Sequence, residues 1–367
     1  MIKKLFFGVL ILGGIFCFSP VVKAQMFSET KRENKSFRLK PGTQVQVFNK
    51  YGNVNVLVWE KDSVRFEVSI TAQSKQQARV NKILSSIDCE MVSAAGFISA
   101  RTVFNDNSAT FWKDVVSYAG KVINAGNNLQ INYTVYLPVA SPVKIENKFG
   151  NIYLGSHKQN ADINLSNGDL QARDFAGTFK LKLEFGSATI QEAVHGQFEI
   201  NYSDVSVQQV TNLSLNSRSS NLAIDKVTNL EINSVRDKIN IRNCSSLDGD
   251  ASFSRIRINT LESGCTMNTR YGDLKLNGIS KNFRHIYVRS EYTDLVCSFS
   301  NQAAYSIDLS YDPKTTLNMP GSIDNLFKRE VVNATTGAVK ARAEIGHAGS
   351  SQVTLLMKAG SLTLLNK

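Results

Sequence analysis

The sequence predicts an all-β fold: a parallel β-solenoid with rungs of about 17–18 residues and a small helix-containing cap at its N-terminal end. Three observations predict it. A small or polar turn residue followed by an alternating apolar pair returns nine times between Gly150 and Thr293. The turn positions Gly150, Gly168, Gly186, Ser203, Ser220, Asp237, Ser254, Gly272 and Thr293 lie 17 or 18 residues apart, except for a last step of 21. Val205, Leu222, Ile239 and Ile256 then fall into one apolar column with a spacing of 17. A unit this short cannot bury its own apolar face, so it must stack on its neighbours, with strands paired about 4.8 Å apart. A sandwich also has frequent strands, but not an equal period with matching core columns.

Residues 1–24 read as a secretory signal. Lys3 and Lys4 precede the apolar run from Leu5 to Phe18, and Val22-Lys23-Ala24 puts small residues where a signal peptidase reads them. The run is too short to span a bilayer comfortably, and no later stretch approaches that length, so no integral membrane segment is expected after cleavage. The chain is expected to be exported to the periplasm, the outer cell surface or the medium. Removing Lys3, Lys4 and Lys23 takes the net charge from +11 to +8. That modest excess lacks the dense clusters a nucleic acid requires, and an exported chain rarely meets one. Acidic envelope sugars or lipid headgroups fit it better, beside the plain alternative of a solvated surface.

Residues 25–36 are polar and read as a flexible leader, and 37–140 as an N-terminal strand and helix cap portion. Val45 and Val47, then Val54, Val56 and Val58, then Val64, Phe66, Val68 and Ile70 keep the period of two that marks strands. Lys50-Tyr51-Gly52-Asn53 matches Lys148-Phe149-Gly150-Asn151, an earlier copy of the turn. Between Lys75 and Ile87 the residues Ala78, Val80, Ile83, Leu84 and Ile87 make a helical stripe, with Ser74 as N-cap. Met91 to Val103 returns to strand character. Residues 105–129 read either as a short amphipathic helix or as an excursion from the strands. Residues 141–300 hold the repeats, each with two or three short strands joined by tight turns. Residues 301–367 are expected to supply C-terminal rungs and a cap, ending in a hairpin or rung around Val353, Leu355, Met357, Leu362 and Leu364.

Little in the chain points to catalysis. Asp169, Asp204, Asp273 and Asp294 share a column, but they follow the turn residue, where Asp hydrogen-bonds local backbone, and Lys238 and Arg255 interrupt them. His157, His195, His285 and His347 are scattered without metal-ligand spacing, and read as isolated surface or satisfied histidines. No catalytic, metal or cofactor-binding residue is therefore assigned, and no cofactor is expected. Cys89, Cys244, Cys265 and Cys297 remain after the signal. Cys244 and Cys297 occupy apolar slots, so they read as buried thiols, with a disulfide among the later cysteines as the other reading.

Two surface features stand out. Tyr51, Phe149, Phe185, Tyr202, Phe253, Tyr271 and Tyr292 precede the turns, where they can pack on one another along the ladder or line a sugar-binding face. The middle units carry Arg236, Lys238, Arg242, Arg255, Arg257, Arg270 and Lys275. Arg257 and Lys275 lie between inward pairs on successive units and must point outward together. Arg255, Arg257, Arg270 and Lys275 form the candidate binding face for an anionic glycan.

The signal, the NKYGNVNVLVW segment at 49–59, the YTVYLPVASPVKIENKFGNIYL segment at 133–154 and the short rungs after it resemble bacterial secreted adhesin-type proteins with an autotransporter-head-like β-solenoid domain. The resemblance covers roughly residues 40–365 and rests on structural turns and strands. It implies adhesion or contact with the envelope, and offers no catalytic residues. The expectation is thus a non-enzymatic envelope or surface protein presenting a solenoid face to glycan or protein. The alternatives are a periplasmic stress sensor or scaffold that binds a protein partner, and a polysaccharide-active β-helix enzyme.

Overall fold

Apolar alternation on both sides of a gentle bend makes each repeat one bent strand, and a sharp corner separates it from the next. In the computed structural model, which describes residues 26–105, 129–333, 337–346 and 350–367, every strand belongs to one long, mostly parallel sheet. The central strands are β11 (Asp169–Glu184), β12 (Ser187–Asn201), β13 (Asp204–Arg218), β14 (Asn221–Val235), β15 (Lys238–Ser252) and β16 (Arg255–Arg270). Each pairs in parallel with the next at the predicted step, as in Val205↔Leu222, Leu222↔Ile239 and Ile239↔Ile256. Their inward residues are buried in one apolar cluster, with Phe175, Phe179 and Phe198 in contact inside it. The two or three short strands expected per unit are a single strand of 15 or 16 residues, because backbone pairing continues around the gentler bend near Val210 and its equivalents.

At the sharp corner one residue takes a left-handed conformation: φ is 59° at Phe149, 55° at Phe185, 51° at Tyr202, 57° at Phe253 and 52° at Tyr271. The residue after it is glycine where corners press together. A Cβ on Gly150 would lie 2.0 Å from the Gly52 carbonyl oxygen, and on Gly186 2.0 Å from that of Gly168. Ser203, Ser220, Asp237 and Ser254 take this place in the middle rungs and bond across them. The amide of Ser203 donates to Ser220 Oγ (3.2 Å), that of Ser220 to Asp237 Oδ1 (2.8 Å), and that of Asp237 to Ser254 Oγ (3.1 Å). Asp237 Oδ2 also accepts from Ser217 Oγ (2.5 Å) and Ser234 Oγ (2.6 Å), so this buried carboxylate is fully engaged.

Stacking order departs from chain order at the N-terminal end. The elements there are β1 (Phe27–Arg38), β2 (Gln44–Lys50), β3 (Val54–Trp59), β4 (Ser63–Ser74), α1 (Gln77–Ser85), β5 (Ile87–Ala94), β6 (Phe97–Phe104) and β7 (Leu129–Pro138), followed by β8 (Val143–Lys148), β9 (Ile152–Leu154) and β10 (Ala161–Ser166). The rung β2–β3 lies between β6–β7 and β8–β9: Val45 pairs with both Ile98 and Val143, and Val54 with both Tyr133 and Ile152. The parallel rungs therefore begin before residue 141. β4 pairs antiparallel with β7 and β5 with β6, which closes this end.

Two expectations are corrected here. The residues read as a flexible leader, 25–36, are mostly β1, which pairs antiparallel with β4 along its whole length. Backbone pairing with an otherwise open edge holds this polar segment, helped by Phe27 and Phe37 against the core. The helix forms, but Gln76 is its N-cap residue and makes no side-chain cap bond; Ser74 Oγ instead accepts from the Gln76 amide at 3.3 Å. The signal and residues 106–128, within the segment of two readings, lie outside the described residues.

The C-terminal end repeats the device with β17 (Asp273–Ile279), β18 (His285–Phe299), β19 (Tyr305–Tyr311), β20 (Thr315–Asn318), α2 (Gly321–Asp324), β21 (Lys328–Asn333), β22 (Ala338–Ile345) and β23 (Ser351–Asn366). β23, read as a final hairpin or rung, is one strand paired in parallel on both sides and is not the last of the stack. Val353 pairs with Ile286 of β18 on one side and with Ile307 of β19 on the other. The chain thus skips a place after Phe299, builds β19–β20 beyond it, turns through antiparallel β21 and β22, and returns to fill the place it skipped.

Candidate binding face

On the strand arm after the corner, every second side chain faces solvent. In β15, β16 and β17 these are Lys238 and Asn240, Arg255 and Arg257, and Asp273 and Lys275, while Ile239, Ile241, Ile256, Ile258, Leu274 and Leu276 are buried. Register aligns Lys238, Arg255 and Asp273 in one column and Asn240, Arg257 and Lys275 in the next. They line a shallow groove of about 360 Å³. Arg255 Nε approaches Asp273 Oδ2 at 3.4 Å. Among the described residues no carboxylate forms an ion pair with Lys238, Arg257 or Lys275. Their neighbours are about 4.8 Å away along the ladder, so the groove concentrates positive potential.

Three of the four residues expected at the face, Arg255, Arg257 and Lys275, come together there. Arg270 does not. It ends β16 on the arm before the Tyr271 corner and pairs with Glu291 at 3.8 Å. Glu291 also holds Lys358 at 2.7 Å, and that contact pulls its carboxyl below the ordinary carboxylate range. Arg242 lies apart too, 3.2 Å from Asp225. Lys238 and Asn240 join the face instead. Their signal was in the period, since Lys238 lies 17 residues before Arg255 and Asn240 17 before Arg257.

The acid column does not bond local backbone as expected. Its carboxylates accept from side chains of the next rung: Asp169 from Ser187 Oγ (2.7 Å), Asp204 from Asn221 Nδ2 (2.7 Å) and Asp294 from Ser361 Oγ (2.5 Å). Stacking at the sheet spacing makes the neighbouring rung the nearer partner. His195 and His285 are exposed, with Asn212 and Thr266 as partners at 3.3 Å each. His157 is buried. Its Nδ1 contacts the Gly155 carbonyl at 2.9 Å, its Nε2 has no partner among the described residues, and burial lowers its pKa below the usual 6.5. His347 lies outside the described residues. Cys89, Cys244, Cys265 and Cys297 are free thiols. Burial raises Cys89 to about 11 and Cys244 and Cys297 to about 12, the range of unreactive thiols. Among the described residues no group of three or more His, Cys, Asp or Glu could hold a metal ion, and no helix is long and apolar enough to cross a membrane.

The aromatic corner residues are stacked, and all but the buried Tyr51 are half exposed. Phe253–Tyr271 and Tyr271–Tyr292 have ring centroids 5.1 and 5.2 Å apart with interplanar angles of 10° and 4°. Packing along the ladder therefore occupies these ring faces and leaves the edges to solvent.

No protein-family profile matches the chain, and no curated protein matches it. Among solved structures, it is similar to a candidate cell adhesion protein of Clostridium sporogenes, at 9% identity and a TM-score of 0.21, over 92% of this chain and 100% of that one. A candidate adhesin of Bacteroides fragilis matches at 10% identity and a TM-score of 0.24, over 92% and 97% of the two chains. A candidate lipid-binding protein of Parabacteroides distasonis matches at 8% identity and a TM-score of 0.27, over 91% and 96%. Scores this low carry no argument about ligand or activity.

Proposed function

We propose that the chain is a parallel β-solenoid and a non-enzymatic, exported envelope protein whose lateral face binds acidic polysaccharide. The observation that supports this is the groove of Lys238, Arg255, Arg257 and Lys275, in which one carboxylate, Asp273, faces four cations. The cations stand in register on a flat, rigid β surface, so a linear polyanion running along the axis meets one charge after another without reordering the protein. Arginine adds bidentate recognition of carboxylates. The non-enzymatic reading draws support from the acid column, whose carboxylates are engaged by neighbouring rungs rather than converging on a cleft.

Titration of the protein with alginate and polygalacturonate, against neutral dextran, tests the reading. Binding to the acidic polymers that weakens steeply as salt rises supports it. Acidic-polymer binding that salt does not weaken, or none to either acidic polymer, refutes it.

A further inference from the structure

The aromatic ladder has one missing tooth. Tyr51 stacks on Phe149 at 5.5 Å and 14°, and Phe185 stacks on Tyr202 at 5.2 Å and 3°. Between these pairs the corner residue is Asn167, in the same left-handed conformation (φ 56°) as the aromatic corners. Phe149 and Phe185 are 49% and 56% exposed, and each has its partner on the side away from Asn167. Two ladder steps separate them, so the rings face each other across about 10 Å. A single ring placed midway would lie about 5 Å from each, which is the stacking distance the ladder already uses.

The walls of this slot are apolar and its floor is polar. The Asn167 side chain is exposed and has no hydrogen-bond partner among the described residues; only its backbone amide is engaged, with the Glu184 carbonyl at 3.0 Å. Lys148, exposed beside Phe149, likewise forms no ion pair among the described residues. The other break in the ladder, at Ser219 and Arg236, spans three steps and holds the Arg236 guanidinium 6.0 Å from the Phe253 ring. Among the described corners, only the Asn167 gap lies between two rings and has the width of one ring.

We infer that the slot between Phe149 and Phe185 binds a pyranose ring of a neutral sugar chain. A pyranose matches both parts of the slot: its C–H faces lie against the two phenyl rings, and its rim of hydroxyls meets the Asn167 amide. An aromatic side chain from a protein would fill the walls equally well but leave that amide without a partner. The site is independent of the basic groove, which lies about five ladder steps, roughly 24 Å, farther along the same edge.

Titration with cello-, manno-, xylo- and laminari-hexaose, in about 0.5 M salt to screen the cationic face, tests the inference. At least one oligosaccharide should bind. Asn167→Tyr completes the ladder with a residue type this corner already accepts, so the variant should melt no lower than the parent while losing affinity by about tenfold or more. Arg257→Glu/Lys275→Glu should bind the neutral sugar unchanged, which separates this site from the acidic-polymer reading. Phe149→Leu removes one ring face and should lose affinity too, and it decides the matter should Asn167→Tyr fail to fold. Failure of all four sugars to bind, or parental affinity in the folded slot variants, overturns the inference.

Discussion

Tyr271 shows how a costly backbone conformation is tolerated at single residues. A non-glycine residue at φ 52° costs about 1 kcal/mol relative to glycine, yet rings on both sides of this one, Phe253 and Tyr292, offset that cost by stacking. Tyr271→Ala keeps the strained Cβ and loses both stacks, so chemical denaturation should show a loss of about 1–3 kcal/mol. Tyr271→Gly should lose less, because it also releases the strain; an equal or larger loss would contradict this. His157 gives a pH-dependent contribution. Its folded pKa is lowered by burial, so below the usual 6.5 the unfolded chain takes up a proton that the folded chain does not. Stability is therefore complete above about pH 6.5 and falls as pH drops below it, by at most about 1.4 kcal/mol per unit. His157→Leu should remove that part of the slope between about pH 7.5 and 5.5 in urea titrations. An unchanged slope would mean the ring is not buried neutral.

Strands that follow the period were legible because each carries its own alternation and stacks on the strand next to it in the chain. Val205, Leu222, Ile239 and Ile256 needed only counting. The strands at the two ends were not legible in the same way. Nothing local in Val45 or Val353 says that its partners are Ile98 and Val143, or Ile286 and Ile307, because stacking order there skips along the chain. β1 was missed for a related reason: backbone pairing with β4 orders it, and its side chains carry little apolar signal. β23 has a testable consequence. Truncation after Ser350 leaves β18 and β19 without their shared partner and exposes Ile286, Val288, Ile307 and Leu309. The truncated protein should aggregate, or lose hydrogen-exchange protection from β18 onward while β11 to β15 stay protected. Full protection of β19 in that protein would show that the end folds without β23.

At the scale of the whole molecule, one period sets both the core and the surface. The step that stacks Ile239 on Ile256 also places Lys238 beside Arg255 and Asn240 beside Arg257. This is why Arg257 and Lys275 could be placed together from sequence, and why Lys238 and Asn240 could have been. Arg270 went astray because it lies one residue before a corner; the Tyr271 turn sends the two arms onto different sides, a change of direction that alternation does not record. The missing tooth at Asn167 was equally present in the aromatic column, but its meaning depends on the rings being stacked face to face.

The most direct test of the central claim is alginate binding by two charge-reversed variants of equal net charge. Arg257→Glu/Lys275→Glu changes the groove, whereas Arg173→Glu/Lys180→Glu changes exposed positions of β11 outside it. Loss of binding by about tenfold or more in the first, with near-parental binding in the second, is the predicted result. Equal loss in both would mean that net charge, and not this face, attracts the polymer.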